Sequence, residues 1–256
     1  MTQSINSQDR IRSVLVLIAT IATITFNLLA AGGYVNGVSP DMISNKYPTV
    51  ITPAGYAFTM WSLIYVGIIA FSIYQLLPNQ LVRFRSVRTL YVISCLLNCA
   101  WIYFWHREQI AISFGLIVAL CLTLVLILRN FRDAEDPGFA LLTKAPFGFY
   151  AGWVAAASIV NLAVVLKWAN VEMTPRGWNI FGVACILAAA ALAIAARVWL
   201  RNYLFPLAIA WAVSSIAVKQ SGNTAIVVAA AVATVIGLVT AGSIVTSLKD
   251  STTKNA

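Results

Sequence analysis

The stretch Pro53-Ala-Gly-Tyr-Ala-Phe-Thr-Met-Trp61-Ser-Leu-Ile-Tyr65 opens an apolar run and sets Trp61 and Tyr65 one helical turn apart, on one face. Two further segments repeat the pattern. Asn98, Trp101 and Trp105 fall at i, i+3 and i+7, and Tyr150, Trp153 and Asn161 fall at i, i+3 and i+11. In an α-helix these spacings put large aromatics and a single amide on a common stripe. The three stripes are expected to meet inside a helix bundle and line one pocket, among the first, second, third and fifth spans.

Composition fixes the medium. Of the 256 residues, 61% are hydrophobic and only 10% are charged, with mean hydropathy +0.85. A soluble domain carries roughly a quarter charged residues, and its core could not hide this much apolar side chain. The chain is therefore read as an all-α, polytopic membrane protein in a lipid bilayer. The net charge of +9 requires no nucleic acid. Lys and Arg collect in cytoplasmic loops and meet anionic lipid, and no basic run here is interleaved with aromatics. Cys95, Cys99, Cys121 and Cys185 all lie within apolar runs, so they are expected to be reduced and packed. The polar N-terminus leads into a long apolar segment without the short apolar region and cleavage site of a signal peptide, and that segment is read as a retained helix.

A spanning helix needs about 20 mostly apolar residues. Eight segments are candidates: 14–33, 55–76, 90–105, 110–128, 147–166, 178–198, 203–218 and 224–247. The third is short and is expected to begin among the arginines before it. The seventh is also short, with Pro206 near its start. Counting Lys and Arg on alternate sides gives twelve against five, which places both termini in the cytoplasm and supports an even number of spans. A bacterial cytoplasmic membrane is the default location. The character of the chain shifts near residue 170. Residues 1–170 hold most of the aromatics and are read as a five-helix ligand-binding core. Residues 171–256 form three Ala- and Val-rich helices, whose small residues suit close packing in lipid.

Three stretches carry a family likeness. Pro53, Trp61 and Tyr65 have the spacing Pro-x7-Trp-x3-Tyr; Leu97, Asn98 and Trp101 have Leu-Asn-x-x-Trp; Trp153, Ala157 and Asn161 have Trp-x-x-x-Ala-x-x-x-Asn. In these motifs, in their order, and in Lys46 and Pro48 of the first loop, the chain resembles the translocator protein / tryptophan-rich sensory protein family, once called peripheral benzodiazepine receptors. It departs from the family in having Thr52-Pro53 where a Pro-Pro pair is expected, and in lacking a tyrosine after Asn161 that would complete a cholesterol-type pattern. The resemblance implies a five-helix bundle that binds hydrophobic planar ligands, such as porphyrin or haem, for sensing, sequestration or transport. The ligand-binding set is then Pro53, Trp61, Tyr65, Asn98, Trp101, Trp105, Tyr150, Trp153 and Asn161. The family's proposed tryptophan-assisted porphyrin breakdown would map to Trp61 and Trp101.

Read on the residues alone, alternatives stay open. A buried unpaired amide costs a few kcal/mol, so Asn98 and Asn161 either bond between helices or reach a ligand. Trp105 and Trp178 sit at helix ends and suit interfacial anchors. His106, beside Arg107 and Glu108, is expected to be solvated, with haem ligation the lesser option. Gly148 and Gly152 read as a helix-packing face, and Asp133 to Asp136 as a solvated turn before Pro137-Gly138. No Ser/His/Asp set, metal-ligand spacing or Gly-rich phosphate loop is evident. The chain is not read as an enzyme, no cofactor is required, and no metal is expected. No carboxylate falls within the spans as drawn, which argues against a proton- or sodium-coupled carrier. The alternatives to ligand binding are a small-solute transporter and a structural or partner-binding membrane subunit, a homodimer included.

Overall fold

A computed structural model describes residues 6–133 and 136–243, and among them it contains helices and no strand. The α-helices are α1 (Ser7–Ala31), α2 (Pro40–Lys46), α3 (Met60–Tyr74), α4 (Arg85–His106), α5 (Ile110–Asn130), α6 (Pro137–Leu142), α7 (Lys144–Trp168), α8 (Pro175–Trp199), α9 (Leu204–Lys219) and α10 (Thr224–Gly242). Among the described residues, seven helical segments are long and apolar enough to cross a membrane: α1, α3 with the 3-10 turn Gly55–Thr59 before it, α4, α5, α6 continued by α7, α8 and α10. The sequence reading expected eight. The remaining one, α9, has 16 residues, about 24 Å of helix against a hydrocarbon core of about 30 Å. It still runs from one end of the bundle to the other. Arg201, just before it, pairs with Asp133 beyond the end of α5, and Gln220, just after it, donates to the carbonyls of Thr49 and Thr52.

Helix starts follow local capping chemistry. Asn6 and Asp9 form a reciprocal capping box, so α1 begins seven residues before the expected apolar boundary. That places Asp9, buried and paired with Arg85, inside the first turn of a spanning helix. Thr174 and Pro175 start α8, and Asn223 starts α10. The Oδ1 of Asn202 accepts from the amides of Leu204 and Phe205, leaving Pro206 in the first turn of α9, where its missing N–H costs nothing. Asp136 caps α6, so the acidic turn ends in a helix cap. Ala134 and Glu135 lie outside the described residues, as do Lys249 and Lys254 of the charge tally.

Helix α1 shows why this is a membrane bundle. Its buried face carries Asp9, Ser13, Thr20, Thr23 and Asn27, whereas Ile11, Leu15, Ile18, Ile21 and Leu28 point outward. A water-soluble helix would have the two faces the other way round. Outward apolar side chains recur on α5, α8 and α10.

The helices pack in a connected series. Helix α1 lies against α3 and α4, α4 against α5, and α3 and α5 against α7; α7 then meets α9, which packs with α8 and α10. The α7–α9 junction is set by glycine. A Cβ on Gly152 would lie 2.5 Å from the carbonyl oxygen of Phe205 and 2.9 Å from the Cβ of Ala208, and one on Gly148 would run into the side chain of Asn202. The GxxxG reading is thus correct, and its partner is the start of α9. Gly152→Val is expected to destabilise the protein by about 1–3 kcal/mol through overpacking, measured by thermal unfolding in detergent. Gly115→Ala, where an added Cβ meets nothing within 4 Å, is expected to be neutral or slightly stabilising.

Candidate functional site

The aromatic stripes do meet. Trp61 is the hub: it stacks on Tyr65 and on Trp101, with centroids 5.8 and 6.0 Å away. The rings of Tyr150 and Trp153 stand edge-on to it at 5.9 and 6.5 Å. Trp101 continues to Trp105 at 6.5 Å. Beside this cluster lies an apolar cavity of about 50 Å³. Of the expected set, Pro53, Trp61, Trp101, Trp105, Trp153 and Asn161 line it. Tyr65, Tyr150 and Asn98 do not; the two tyrosines back the hub tryptophan, and Asn98 accepts a 2.7 Å hydrogen bond from Asn27 of α1. The first span therefore contributes a supporting amide and no lining residue. The remaining wall comes from α8 and α9, through Cys185, Ile186, Ala189, Ala212, Val213 and Ile216.

Several buried polar groups on the α1–α3–α4 side are paired. Thr20 bonds to both Ser72 and Tyr91 at 2.6 Å. The buried Arg88 guanidinium donates to Gln75 Oε1 at 2.8 Å and to the Leu81 carbonyl at 2.6 Å. Away from the cavity, Gln80 Oε1, Asn98 Nδ2 and His106 Nε2 are buried without a partner among the described residues. Three further such atoms gather at the cavity. The indole N–H groups of Trp101 and Trp153 and the Oδ1 of Asn161 are buried without a hydrogen-bond partner among the described residues. The Asn161 amide nitrogen bonds only to the carbonyl of Ala157 in its own helix. Two donors and one acceptor thus go unanswered around one cavity, in a setting where each unsatisfied group costs about 1–3 kcal/mol.

A model of the TSPO-like protein family matches residues 13–244. The chain belongs to this family. Comparison with curated proteins and with solved structures returned no match. The match runs through α8, α9 and α10, the helices that complete the cavity. In this TSPO-like protein, sequence reasoning missed that wall because Ile186, Ala189, Ala212, Val213 and Ile216 are small or aliphatic residues with no chemistry to flag, and Cys185 reads as one more packed thiol. The nearest signal is Trp211, the single tryptophan of α9, whose indole donates to the Ala57 carbonyl at 3.1 Å. A second bond, from the Ala54 amide to the Ser215 carbonyl, ties the start of the second span to the same helix.

The first loop closes one end of the cavity with Pro40, Ser44, Ile51 and Pro53. Here the reading of helix-end residues needs correction. Trp105 is no interfacial anchor: it is buried and donates to the Pro40 carbonyl at 3.1 Å. Trp178 is also buried. His106 is fully buried, with Nδ1 on the Ile102 carbonyl at 2.7 Å, because the first loop covers the helix end; Asn36 donates to the His106 carbonyl. It does not line the cavity. The loop is clasped by Glu108, which receives hydrogen bonds from Lys46 Nζ at 2.6 Å and from Tyr47 OH at 2.7 Å. These two bonds hold the Glu108 carboxyl below its ordinary range. Burial, then the bond to Glu108, pushes Tyr47 up to about 12. A carboxyl lowered in the folded state stabilises above its unfolded value and loses that contribution as pH falls through the lowered one. A spin label at Met42 is expected to keep constant mobility from about pH 5 to 9 and to loosen below about pH 4. Glu108→Gln should loosen it already at neutral pH, with no acid step, by an amount fitting an exposed ion pair of about 0.2–1 kcal/mol.

Proposed function

We propose that this TSPO-like membrane protein binds a flat, largely apolar ligand of the porphyrin or haem class in the aromatic cavity, for sensing, sequestration or transport. The observation that carries this reading is the set of unanswered polar atoms, Trp101 Nε1, Trp153 Nε1 and Asn161 Oδ1, around a cavity walled by stacked tryptophans. A flat π-system finds stacking partners in Trp61 and Trp101. An acceptor on the ligand meets the indole N–H groups, and a pyrrole-type N–H meets the Asn161 oxygen. Of the lining side chains Cys185 carries the one soft donor atom, and it is the residue that would hold an iron if the bound ring carried one. The free volume of about 50 Å³ is far below the several hundred Å³ of a site that holds a drug-sized ligand. The bound state therefore requires a wall to move outward. The end rich in arginine, joined by the Asp9–Arg85 and Asp133–Arg201 pairs, is assigned to the cytoplasm on the twelve-to-five bias.

Titration of the purified protein with protoporphyrin IX tests the reading. Tryptophan fluorescence should quench at micromolar ligand. Trp101→Phe keeps the ring but removes the N–H and part of the stack, and should weaken binding about three- to tenfold. No quenching up to the solubility limit of the porphyrin would remove this function, and solute uptake into proteoliposomes without quenching would favour a carrier.

A further inference from the structure

The aromatic cavity has a polar neighbour. On the other side of the first-loop strap lies a depression of about 740 Å³, lined by Lys167, Lys219, Trp178 and the amides of Asn45, Asn179 and Gln220. Its lining includes two cations and no carboxylate. Lys167 Nζ lies 4.2 Å from the centroid of the Trp178 ring, a contact that holds the ammonium at the mouth. Neither lysine forms an ion pair among the described residues. Glu172 lines the adjoining depression with Lys167. Pro175, the first residue of α8, and Asn223, the cap of α10, also line the mouth, so two helix N-termini add partial positive charge to that of the lysines. The separation from the cavity is one thickness of chain. Val50 and Thr52 face the depression, whereas Ile51 and Pro53 face the cavity.

We infer that the two compartments serve one ligand, an anionic amphiphile: the aromatic cavity takes its flat apolar body, and Lys167 and Lys219 hold its carboxylates. The inference rests on the cavity-binding reading above and adds the polar end to it. An apolar cavity alone would take a neutral ring as readily as an acidic one. A mouth with two cations and no competing carboxylate in its lining favours the acid, and does so through charge, so the preference weakens with salt.

The test compares protoporphyrin IX with its dimethyl ester, the same ring without the two charges, in phosphatidylcholine nanodiscs, by tryptophan quenching. The acid is expected to bind the wild type about tenfold more tightly than the ester, the combined effect of two partly exposed charge pairs. Lys167→Gln with Lys219→Gln should reduce that preference to about twofold or less and leave ester affinity unchanged. Lys167→Arg with Lys219→Arg should keep it. Equal binding of acid and ester by the wild type, or a preference that survives the double Gln variant, overturns the inference and leaves cavity binding standing. Failure of both porphyrins to quench removes cavity binding and this inference with it.

Discussion

Two glycines one turn apart on α7 allow the backbone of α9 to approach as closely as it does, and the cavity depends on that approach. At Gly152 the space a Cβ would occupy is already taken by the Phe205 carbonyl and Ala208. At Gly237 on α10 it is taken by Ala210 and the Pro206 carbonyl. Without a hydrophobic force between helices in lipid, close packing of this kind is the main source of association. The consequence reaches beyond stability. With α9 drawn against α7, Ala212, Val213 and Ile216 complete the wall opposite the tryptophans. Trp211 and Ser215 reach the start of the second span. A looser seam would leave the aromatic cluster facing lipid.

Buried polar groups of the bundle are answered in some places and not in others. Along α1, α3 and α4 several bridge between elements: Thr20 with Tyr91 and Ser72, Asn27 with Asn98 Oδ1, Arg88 with Gln75 and Leu81, while Asn98 Nδ2 and His106 Nε2 stay without a partner among the described residues. Those bridges read as structure, polar contacts that specify which helices meet. Around the cavity the same kinds of group go without partners. Trp105 shows that this is not a property of tryptophan in this fold, since its indole finds the Pro40 carbonyl. Trp101, one helical turn away on the same stripe, does not.

Much of this could be read from the chain. The spans are long apolar runs, and the stripes of Trp61, Trp101 and Trp153 follow from helical periodicity, which dictates which side chains share a face. The packing role of Gly148 and Gly152 was legible for the same reason. What periodicity cannot give is the identity of the facing helix. The wall from α8 and α9 was invisible because an alanine that lines a cavity has the same chemistry as one that packs against a neighbour. Trp105 and His106 were misread because position at a helix end suggests solvent, and only the fold of the first loop reveals that the end is covered. The early start of α1 was recoverable: Asn6 and Asp9 are three apart, the spacing of a capping box, but hydropathy alone begins the helix at the first valine.

The walls of the cavity differ in how easily they can part. Helices α3 and α7 interlock where Gly67 meets Pro146, and α7 and α9 where Gly152 meets Phe205; separating either pair loses packing along the full length of a helix. The first-loop strap is held by the buried side chains of Ile43 and Ile51 and by separate hydrogen bonds: Gln220 to Thr49 and Thr52, Ala54 to Ser215, Trp105 to Pro40, and Lys46 and Tyr47 to Glu108. Each such bond is worth about 0.5–1.5 kcal/mol net, and several of them lie at the rim, where water replaces them. Releasing only the hydrogen-bonded rim, with Ile43 and Ile51 left in place, costs a few kcal/mol, the range in which a minor open state is populated at about 0.1–10%. The strap is also the partition between the aromatic cavity and the lysine-lined mouth. On the proposed reading, its displacement would enlarge the cavity and join it to the mouth in one movement, and the route that would admit a flat ligand is the same one that would bring its acidic end to Lys167 and Lys219.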